Sequence, residues 1–239
     1  MHRLNVWLLL VAMAPASVAA TDAESILEDA RLALSGSRDS TPVRVEIEAV
    51  YRYADSEQLI RDRTILEPGR RLFQEREIAG QMIRREWTPE GAFLESSLGR
   101  ESLDETMQAE LEAYFCLRQL ELLVLCPGVE ARQLASSPER LVIEIRRAGE
   151  KFAELEIDAK SRRLAAMRYD QSLTEEELSS GEAEVRYFEF RDAADGWSLP
   201  HRVETTSAGA LKSSYSVERW KVEMKPTRRG AGSSTSSVP

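Results

Sequence analysis

Histidine and cysteine are scarce in this 239-residue chain, and their scarcity limits the chemistry that it can perform. There are two of each, and His201 is the only histidine beyond the first few residues. Because zinc sites draw on several histidine and cysteine ligands, a multi-histidine metal centre is excluded, and no metal or cofactor is predicted. His201 is also the single candidate for the base of a catalytic triad. It follows Pro200 at the start of a predicted strand, where we expect a structural role.

The sequence also lacks the short motifs that accompany common enzyme chemistries. No G-x-S-x-G, H-E-x-x-H, Walker A or G-x-G-x-x-G motif occurs where a predicted strand leads into a predicted helix. Two carboxylate pairs, Glu46 with Glu48 and Glu154 with Glu156, lie on common strand faces. They alternate with apolar residues, which is typical of the solvated face of a sheet. The chain is therefore predicted not to be an enzyme.

Concentrated positive charge, the mark of a nucleic-acid-binding surface, is missing as well. The chain has 32 Lys and Arg against 41 Asp and Glu, a formal net charge of −9, and its basic residues are scattered. A nucleic-acid partner requires them to be clustered. Nucleic acid is thus excluded as a partner, and the acidic balance indicates a soluble protein.

Long apolar runs are absent except at the N terminus. A basic start at residues 2–3 precedes an apolar stretch over 6–14 and small residues over 17–20, an order typical of a cleavable secretory signal peptide. The apolar stretch is shorter than the roughly 20 residues needed to span a bilayer. We expect cleavage near Ala19 or Ala20, which leaves a periplasmic protein with no transmembrane anchor in the mature chain.

Cys116 and Cys126 are candidates for one disulfide, because an exported protein reaches an oxidising compartment. In one continuous helix their Cα atoms would lie about 15 Å apart. A disulfide requires a Cα separation of less than about 7 Å. Either the helix breaks between them and the bond forms, or both remain free, buried thiols.

Apolar spacing predicts a mainly β chain with two helical segments. A capping box at 21–24 and a helical apolar stripe predict a first helix over 22–35, and a second box at 102–105 starts a Leu-rich helical segment that runs to Leu125. About eleven stretches with a period of two, separated by Pro and Gly turns, predict strands. They are 43–53, 59–66, 71–78, 82–88, 92–96, 141–147, 152–158, 164–170, 183–191, 199–205 and 211–222.

Two stretches resemble the LolA-like outer-membrane lipoprotein carrier superfamily. In the run 155–168, Asp158 ends one strand and a basic turn leads into the next, which is similar to a strand, turn and strand of that superfamily. Residues 195–202, Asp-Gly-Trp-Ser-Leu-Pro-His-Arg, resemble its D-G-x-x-L-P-x-R hairpin. With the helices, the similarity spans roughly residues 22–224. Such turn motifs bear on fold more than on activity.

The resemblance implies an α+β, mainly β domain over residues 21–224. Its expected form is a curved antiparallel half-barrel, an unclosed barrel of about 11 strands, with helices covering the concave face. Residues 1–20 are then the signal peptide, and the polar composition of 225–239 predicts a disordered tail. The resemblance also implies a periplasmic protein that shields lipid-modified or otherwise hydrophobic cargo, although related members sense envelope stress or attach to partner proteins.

The leading hypothesis is a non-enzymatic carrier or binding protein for a hydrophobic ligand, either lipoprotein acyl chains or lipid. Nine residues are predicted to line its cavity, although each is equally explicable as core: Val45, Ile47, Tyr51, Phe73, Trp87, Tyr114, Phe115, Leu122 and Trp197. The alternative is an envelope protein-interaction or regulatory module of the same fold without lipid cargo. A carbon-lined hollow of several hundred Å³ favours carriage, and a void smaller than a few waters favours the interaction module.

Overall fold

The computed structural model describes residues 19–37, 41–173, 181–193 and 196–224. Nearly all of the predicted signal peptide, the predicted polar tail, and Asp195 of the hairpin motif lie outside these residues. No helix in the described part of the chain is long and apolar enough to cross a membrane.

The described residues form two α-helices and thirteen strands. The helices are α1, Ala19–Ser35, and α2, Glu105–Leu120, and a short 3-10 turn covers Gln171–Leu173. The strands of the first half are β1 Pro42–Tyr53, β2 Leu59–Glu67, β3 Arg71–Ile78, β4 Gln81–Thr88, β5 Gly91–Ser96 and β6 Gly99–Ser102. Those of the second half are β7 Val129–Ser136, β8 Arg140–Arg147, β9 Glu150–Asp158, β10 Leu164–Asp170, β11 Glu182–Asp192, β12 Ser198–Ser207 and β13 Ala210–Met224.

All thirteen strands belong to one antiparallel sheet that does not close on itself. Its order is β6-β5-β4-β3-β2-β1-β13-β12-β11-β10-β9-β8-β7. The chain therefore makes two meanders, and its first and last strands join them at the centre, where Val45 lies opposite Val222. The prediction of a mainly β, unclosed antiparallel half-barrel is confirmed.

The expected strand number was too low because the sequence pattern missed β6 and β7, the two edges of the sheet. An edge strand has a neighbour on one side only, and these two bury little: every residue of β6 is exposed, and no residue of β7 is buried. A strand without a buried face does not need the alternation of apolar residues by which strands are recognised.

Both helices pack their apolar residues onto one face of the sheet. In α1, Ala23, Leu27, Ala30 and Leu34 follow a three-to-four spacing and are buried in the core. Helix α1 contacts β7 and β12, and α2 contacts β2, β4 and β5. The helix-covered face of the sheet is therefore the interior.

Helix α2 begins and ends at identifiable signals. The Asp104 side chain accepts a hydrogen bond of 2.9 Å from the Met107 N–H and caps the first turn. The helix ends at Leu120 rather than at Leu125, and Leu123 has a φ of 56°, which a continuing helix does not allow.

This break has a consequence for the two cysteines. Because the chain turns back after α2, the Cα atoms of Cys116 and Cys126 lie 5.7 Å apart, and the structure joins their sulfur atoms in a disulfide. The bond ties the last turns of the helix to the segment that leads into β7.

Charged residues cover the opposite, outer face of the sheet and pair across its strands. Arg168 contacts the carboxylates of Glu154, Glu156 and Glu184 at 3.0 or 3.1 Å. Glu46 lies 2.6 Å from Arg63; burial raises its pKa, but the hydrogen bond and charge of Arg63 outweigh burial and hold it below its usual value. The carboxylate pairs seen in the sequence thus belong to ion pairs of the sheet surface.

Candidate functional site

Most of the predicted ligand-lining residues lie in the interior. Eight of the nine belong to the core cluster or pack against it: Val45, Ile47, Tyr51, Trp87, Tyr114, Phe115, Leu122 and Trp197. The rings of Trp87 and Phe115 pack at an interplanar angle of 40° with their centres 4.7 Å apart, which joins β4 to α2. The structure therefore brings these eight side chains together, as part of one packed cluster.

Phe73 lies elsewhere. Its neighbours in β3, Leu72 and Gln74, are buried in the interior, so strand alternation turns Phe73 to the outer face. There the guanidinium of Arg71 covers its ring at 5.4 Å. In contrast to the prediction, Phe73 is outside the space beneath the helices. Large apolar residues lie on both faces of β3, so the size of a side chain does not show which face it occupies.

Charged and hydroxyl-bearing residues occupy the interior beneath the end of α2. Arg118, which is 5 % exposed, donates a hydrogen bond of 3.0 Å to the Tyr215 hydroxyl. Its guanidinium lies 2.6 Å from the carboxylate of Glu121. The Tyr187 hydroxyl donates to the same carboxylate at 3.3 Å. A buried ion pair, held by two phenols, thus stands where the sequence predicted an apolar hollow.

The protonation states of this group follow from burial and from its own charges. Burial opposes the positive charge of Arg118, but the charge of Glu121 and the surrounding phenols raise its pKa well above the ordinary value. Burial is also the main cause that raises the pKa of Tyr51, Tyr187 and Tyr215. Near neutral pH the group contains a guanidinium cation and three neutral phenols.

A second polar group extends along the inner face of β2 and β3. Asp62, 4 % exposed, accepts hydrogen bonds from the Thr64 hydroxyl at 2.7 Å, the Gln74 amide at 2.6 Å and the Arg76 guanidinium at 2.9 Å. Arg76 also lies 5.4 Å from the ring centre of Tyr51. Tyr51 therefore connects this group with the one around Arg118.

The described residues form a small cavity between these groups. The residues at the end of α2 and the strands facing them enclose a cavity of about 30 Å³. Its polar lining residues include Tyr51, Tyr114, Arg118, Glu121, Tyr169 and Tyr215. That volume suits a single water molecule. An acyl chain needs a much larger hollow lined by carbon.

A larger depression, here called the outer groove, crosses the charged face of the sheet. It has a volume of about 800 Å³ and is lined by Val50, Arg52, Gln58, Leu59, Arg61, Glu77, Ala79, Gly80, Ser214, Ser216 and Glu218. A neighbouring depression of about 390 Å³ shares Arg61, Glu77 and Glu218 with it, so the two are continuous.

The outer groove contains charged residues that lie outside the ion-pair network of this face. Arg52, Arg61, Glu77 and Glu218 make no ion pair within the described residues, although Arg61 and Glu77 are direct cross-strand partners. Elsewhere on this face, by contrast, Arg63 and Arg168 are bound to carboxylates. The groove therefore offers unneutralised charges of both signs.

His201, the candidate for a catalytic base in the sequence, contacts the backbone of β13. Nδ1 of His201 lies 3.0 Å from the Val217 carbonyl oxygen, which gives the ring a structural contact. Among the residues that the structure describes, no group of three or more His, Cys, Asp or Glu is placed to hold a metal ion.

Sequence reasoning missed the polar interior, although a signal was present. Asp62 and Thr64 share the strand parity of the apolar Ile60 and Leu66, so they had to face the core. Arg118 lies within the most apolar part of α2, where a lone charge requires a partner. Charged residues at inward positions of neighbouring elements predict a buried polar network.

The geometry defines a class of α+β proteins in which helices cover one face of an unclosed antiparallel barrel. A LolA superfamily protein from Nitrosomonas europaea superposes with a TM-score of 0.53 at 15% identity, over 85% of this chain and 94% of that one. A putative outer membrane lipoprotein-sorting protein domain from Vibrio parahaemolyticus gives 0.56 at 9% identity, over 85% and 93%. A DUF1329 family protein from Desulfovibrio piger gives 0.53 at 7% identity, over 84% and 93%.

The particular fold is therefore LolA-like, as the two sequence stretches predicted. No protein-family model and no curated protein sequence matches the chain. At such low identities the likeness concerns the fold, and the ligand or partner has to be inferred from the site itself.

Proposed function

We propose that the protein is an exported, non-enzymatic binding protein of the cell envelope whose partner is another protein rather than a lipid. One observation carries this proposal: the cavity that the described residues form at the end of α2 has a volume of about 30 Å³ and is lined by the ion pair of Arg118 and Glu121. An acyl chain entering there would separate the pair, and a buried charge left alone costs about 3–5 kcal/mol. We therefore propose that the partner binds on the outer surface of the sheet.

The outer groove is the surface that we propose for the partner. Protein interfaces are arranged so that charges of opposite sign meet across them. Arg52 and Arg61 offer free guanidinium groups to carboxylates of a partner, and Glu77 and Glu218 offer acceptors to its basic residues. Val50 and Leu59 add apolar contact area between the charges. This mixture suits a polypeptide segment better than a hydrocarbon chain.

Export is supported by two separate features. The N-terminal sequence has the order of a cleavable signal over residues 1–20, with cleavage near Ala19 or Ala20. The disulfide between Cys116 and Cys126 is typical of proteins in oxidising compartments such as the periplasm. We propose a periplasmic domain over 21–224 followed by a polar tail over 225–239.

The first experiment measures what the protein carries. The full chain is expressed with its own N terminus, released from the periplasm without detergent and weighed by native mass spectrometry. The proposal expects the processed polypeptide without a bound lipid. Stoichiometric lipid on the released protein would contradict it.

The second experiment tests the outer groove. Envelope proteins are captured by reversible cross-linking, before and after delipidation, with the wild type and with Arg52→Glu combined with Arg61→Glu. The same partner should be captured in both lipid states, and at least tenfold less by the groove variant. Arg70→Glu, an exposed change in the turn between β2 and β3, is the control and should retain the partner. Capture that is lost on delipidation but unchanged by the groove variant would contradict the proposal.

Carriage of a hydrophobic ligand is the second candidate. It is favoured by the likeness to a putative outer membrane lipoprotein-sorting protein domain. In this case α2 must move away from the sheet and break the contacts of Arg118 with Tyr215 and Glu121. A lipid adduct in the native mass spectrum, lost when the interior is filled by Ala49→Phe, would select this candidate.

A further inference from the structure

The β7 edge of the sheet directs backbone groups away from the sheet over a longer stretch than the β6 edge. Strand β7 has eight residues and β6 has four, and β7 pairs with β8 alone. Alternate residues of such a strand direct their N–H and C=O groups away from the sheet. An edge of this kind is a template for pairing with another strand.

The turn between β8 and β9 fixes which residues of β8 bond to β7. Arg147 and Glu150 flank the two-residue turn and therefore exchange backbone hydrogen bonds with each other. The register shift between Ile145 and Arg146 places its extra residue in β9, so alternation within β8 continues, and the backbone groups of Glu144 and Arg146 face β7.

The same alternation applies to β7 itself. Glu130 and Arg132 lie opposite Arg146 and Glu144 and receive their backbone bonds. The backbone groups of Val129, Ala131 and Gln133 therefore face away from the sheet. The Val129 N–H agrees with this assignment, because it bonds to the Cys126 carbonyl at 3.4 Å and not to β8.

Two exposed charges on β7 are available for an additional strand. Glu130 and Arg132 are exposed and make no ion pair within the described residues. Their cross-strand neighbours Arg146 and Glu144 bind each other instead, at 2.9 Å. Val129 and Ala131 pack towards the core, which leaves the charged face of the strand open.

We propose that two copies of the chain associate by antiparallel pairing of their β7 strands, with Ala131 of one copy opposite Ala131 of the other. Ala131 belongs to the outward-facing set, so the two residues can exchange backbone hydrogen bonds about a two-fold axis. The same register places Glu130 of each copy opposite Arg132 of the other. Two symmetry-related ion pairs result, and the occupant of this edge is a second copy of this chain.

Charge selects this register over its neighbours. Backbone alternation also permits two-fold axes at Glu130 or at Arg132. The first places two glutamates directly opposite each other, and the second places two arginines opposite each other, which destabilises a strand pair. The register centred on Ala131 is the one that pairs opposite charges.

The decisive experiment is a charge exchange, read out by sedimentation equilibrium of the full chain over a range of concentrations. The wild type should form a dimer in a concentration-dependent manner. Arg132→Glu alone places two carboxylates opposite each other at both symmetry-related positions, and Glu130→Arg alone places two guanidinium groups there. Either change should weaken the dimer about tenfold or more. Both changes together restore opposite charges in each pair and should return the dissociation constant to near its original value.

A matched control and a backbone variant complete the test. Arg70→Glu with Glu90→Arg makes the same exchange in two exposed turns away from β7 and should leave the dimer unchanged. Ala131→Pro removes an outward N–H while sparing the bonds to β8, so it should give a folded monomer with cooperative thermal unfolding. A monomeric wild type, or a dimer that is equally weakened by the single and the double charge variants, would overturn the proposal.

Discussion

Arg118 is held in the interior by contacts that replace the water it has lost. One Nη atom serves both the Tyr215 hydroxyl and the Glu121 carboxylate, whereas its Nε is buried without a hydrogen-bond partner among the described residues. A buried cation under these conditions depends on the charge of its anion.

Arg118→Met is therefore expected to destabilise the protein severely. It removes the guanidinium that lies 2.6 Å from the Glu121 carboxylate in the interior, and breaking a buried ion pair costs about 3–5 kcal/mol in the free energy of unfolding. Urea denaturation followed by circular dichroism measures the loss. The paired variant Arg118→Met with Glu121→Leu removes both charges and should recover most of it. A double variant that is no more stable than the single one would show that packing, and not charge, determines the cost.

Three hairpins of the sheet share an unusual turn residue. Ala79-Gly80, Ala148-Gly149 and Ala208-Gly209 each have positive φ at both residues, with alanine at 49–52° and glycine at 78–83°. Two-residue hairpins of this type favour asparagine at the first position, because a Cβ atom makes the left-handed conformation costly for alanine.

Ala148→Asn is accordingly expected to stabilise the protein. The gain should be about 0.5–1 kcal/mol in the free energy of unfolding, or a rise of about 1–4 °C in Tm. Differential scanning calorimetry measures it. Ala148→Val, with a branched side chain that tolerates positive φ poorly, is the opposite control and should lower Tm. Equal Tm values for the two variants would contradict the turn assignment.

At the scale of elements, α2 and the segment after it form a unit closed by the disulfide. The bond joins residues separated by 10 positions, so it limits a short loop of the unfolded chain. Replacing both cysteines, Cys116→Ser with Cys126→Ser, should lower the free energy of unfolding by about 2–3 kcal/mol. Urea unfolding of the variant should match that of the reduced wild type. If the urea midpoint of both the variant and the reduced wild type equalled that of the oxidised wild type, the disulfide would not contribute to stability.

Strand patterns predicted the elements that have one buried face, and they failed at the edges. In β1, Val45, Ile47, Ala49 and Tyr51 are all buried, which gives the period of two that the sequence shows. Strand β7 has no such face, because α1 covers part of it and solvent the rest. A strand that pairs with one neighbour and buries no face does not need alternating apolar residues, so the sequence pattern does not reveal it.

The candidate site was predicted less well than the fold. Large apolar residues were selected as ligand contacts, and eight of them do lie in the interior. Hydrophobicity cannot tell a filled interior from a hollow one, since both bury the same residue types. The interior is filled here because Asp62, Arg76 and Arg118 make polar contacts within it. Several of their partners are distant in sequence, so the sequence alone does not predict these contacts.

For the whole molecule, the buried phenols predict an alkaline limit of stability. The pKa of Tyr51, Tyr187 and Tyr215 is raised in the folded state, mainly by burial. Their contribution to stability is complete below the unfolded-state pKa of about 10 and is lost progressively as pH rises above it. Unfolding above that pH exposes phenols that ionise at once.

A spectrophotometric titration checks this expectation. Of the six tyrosines, the three buried ones should ionise only together with the loss of the circular dichroism signal. Tyr187→Phe removes one of these groups and should make the alkaline transition less steep. Ionisation of all six tyrosines while the ellipticity remains native would contradict the burial of the cluster.

The neighbouring position of β1 and β13 has a consequence for how the molecule is made. The central seam of the sheet joins the first strand synthesised to the last, so it cannot be sealed while the C-terminal segment is still inside the ribosome. Contacts between such distant parts of a chain form slowly. Until β13 is available, the edge of β1 that faces it has no partner strand. The pairing of β1 with β13, at the centre of the sheet, is therefore the last strand pairing that can form.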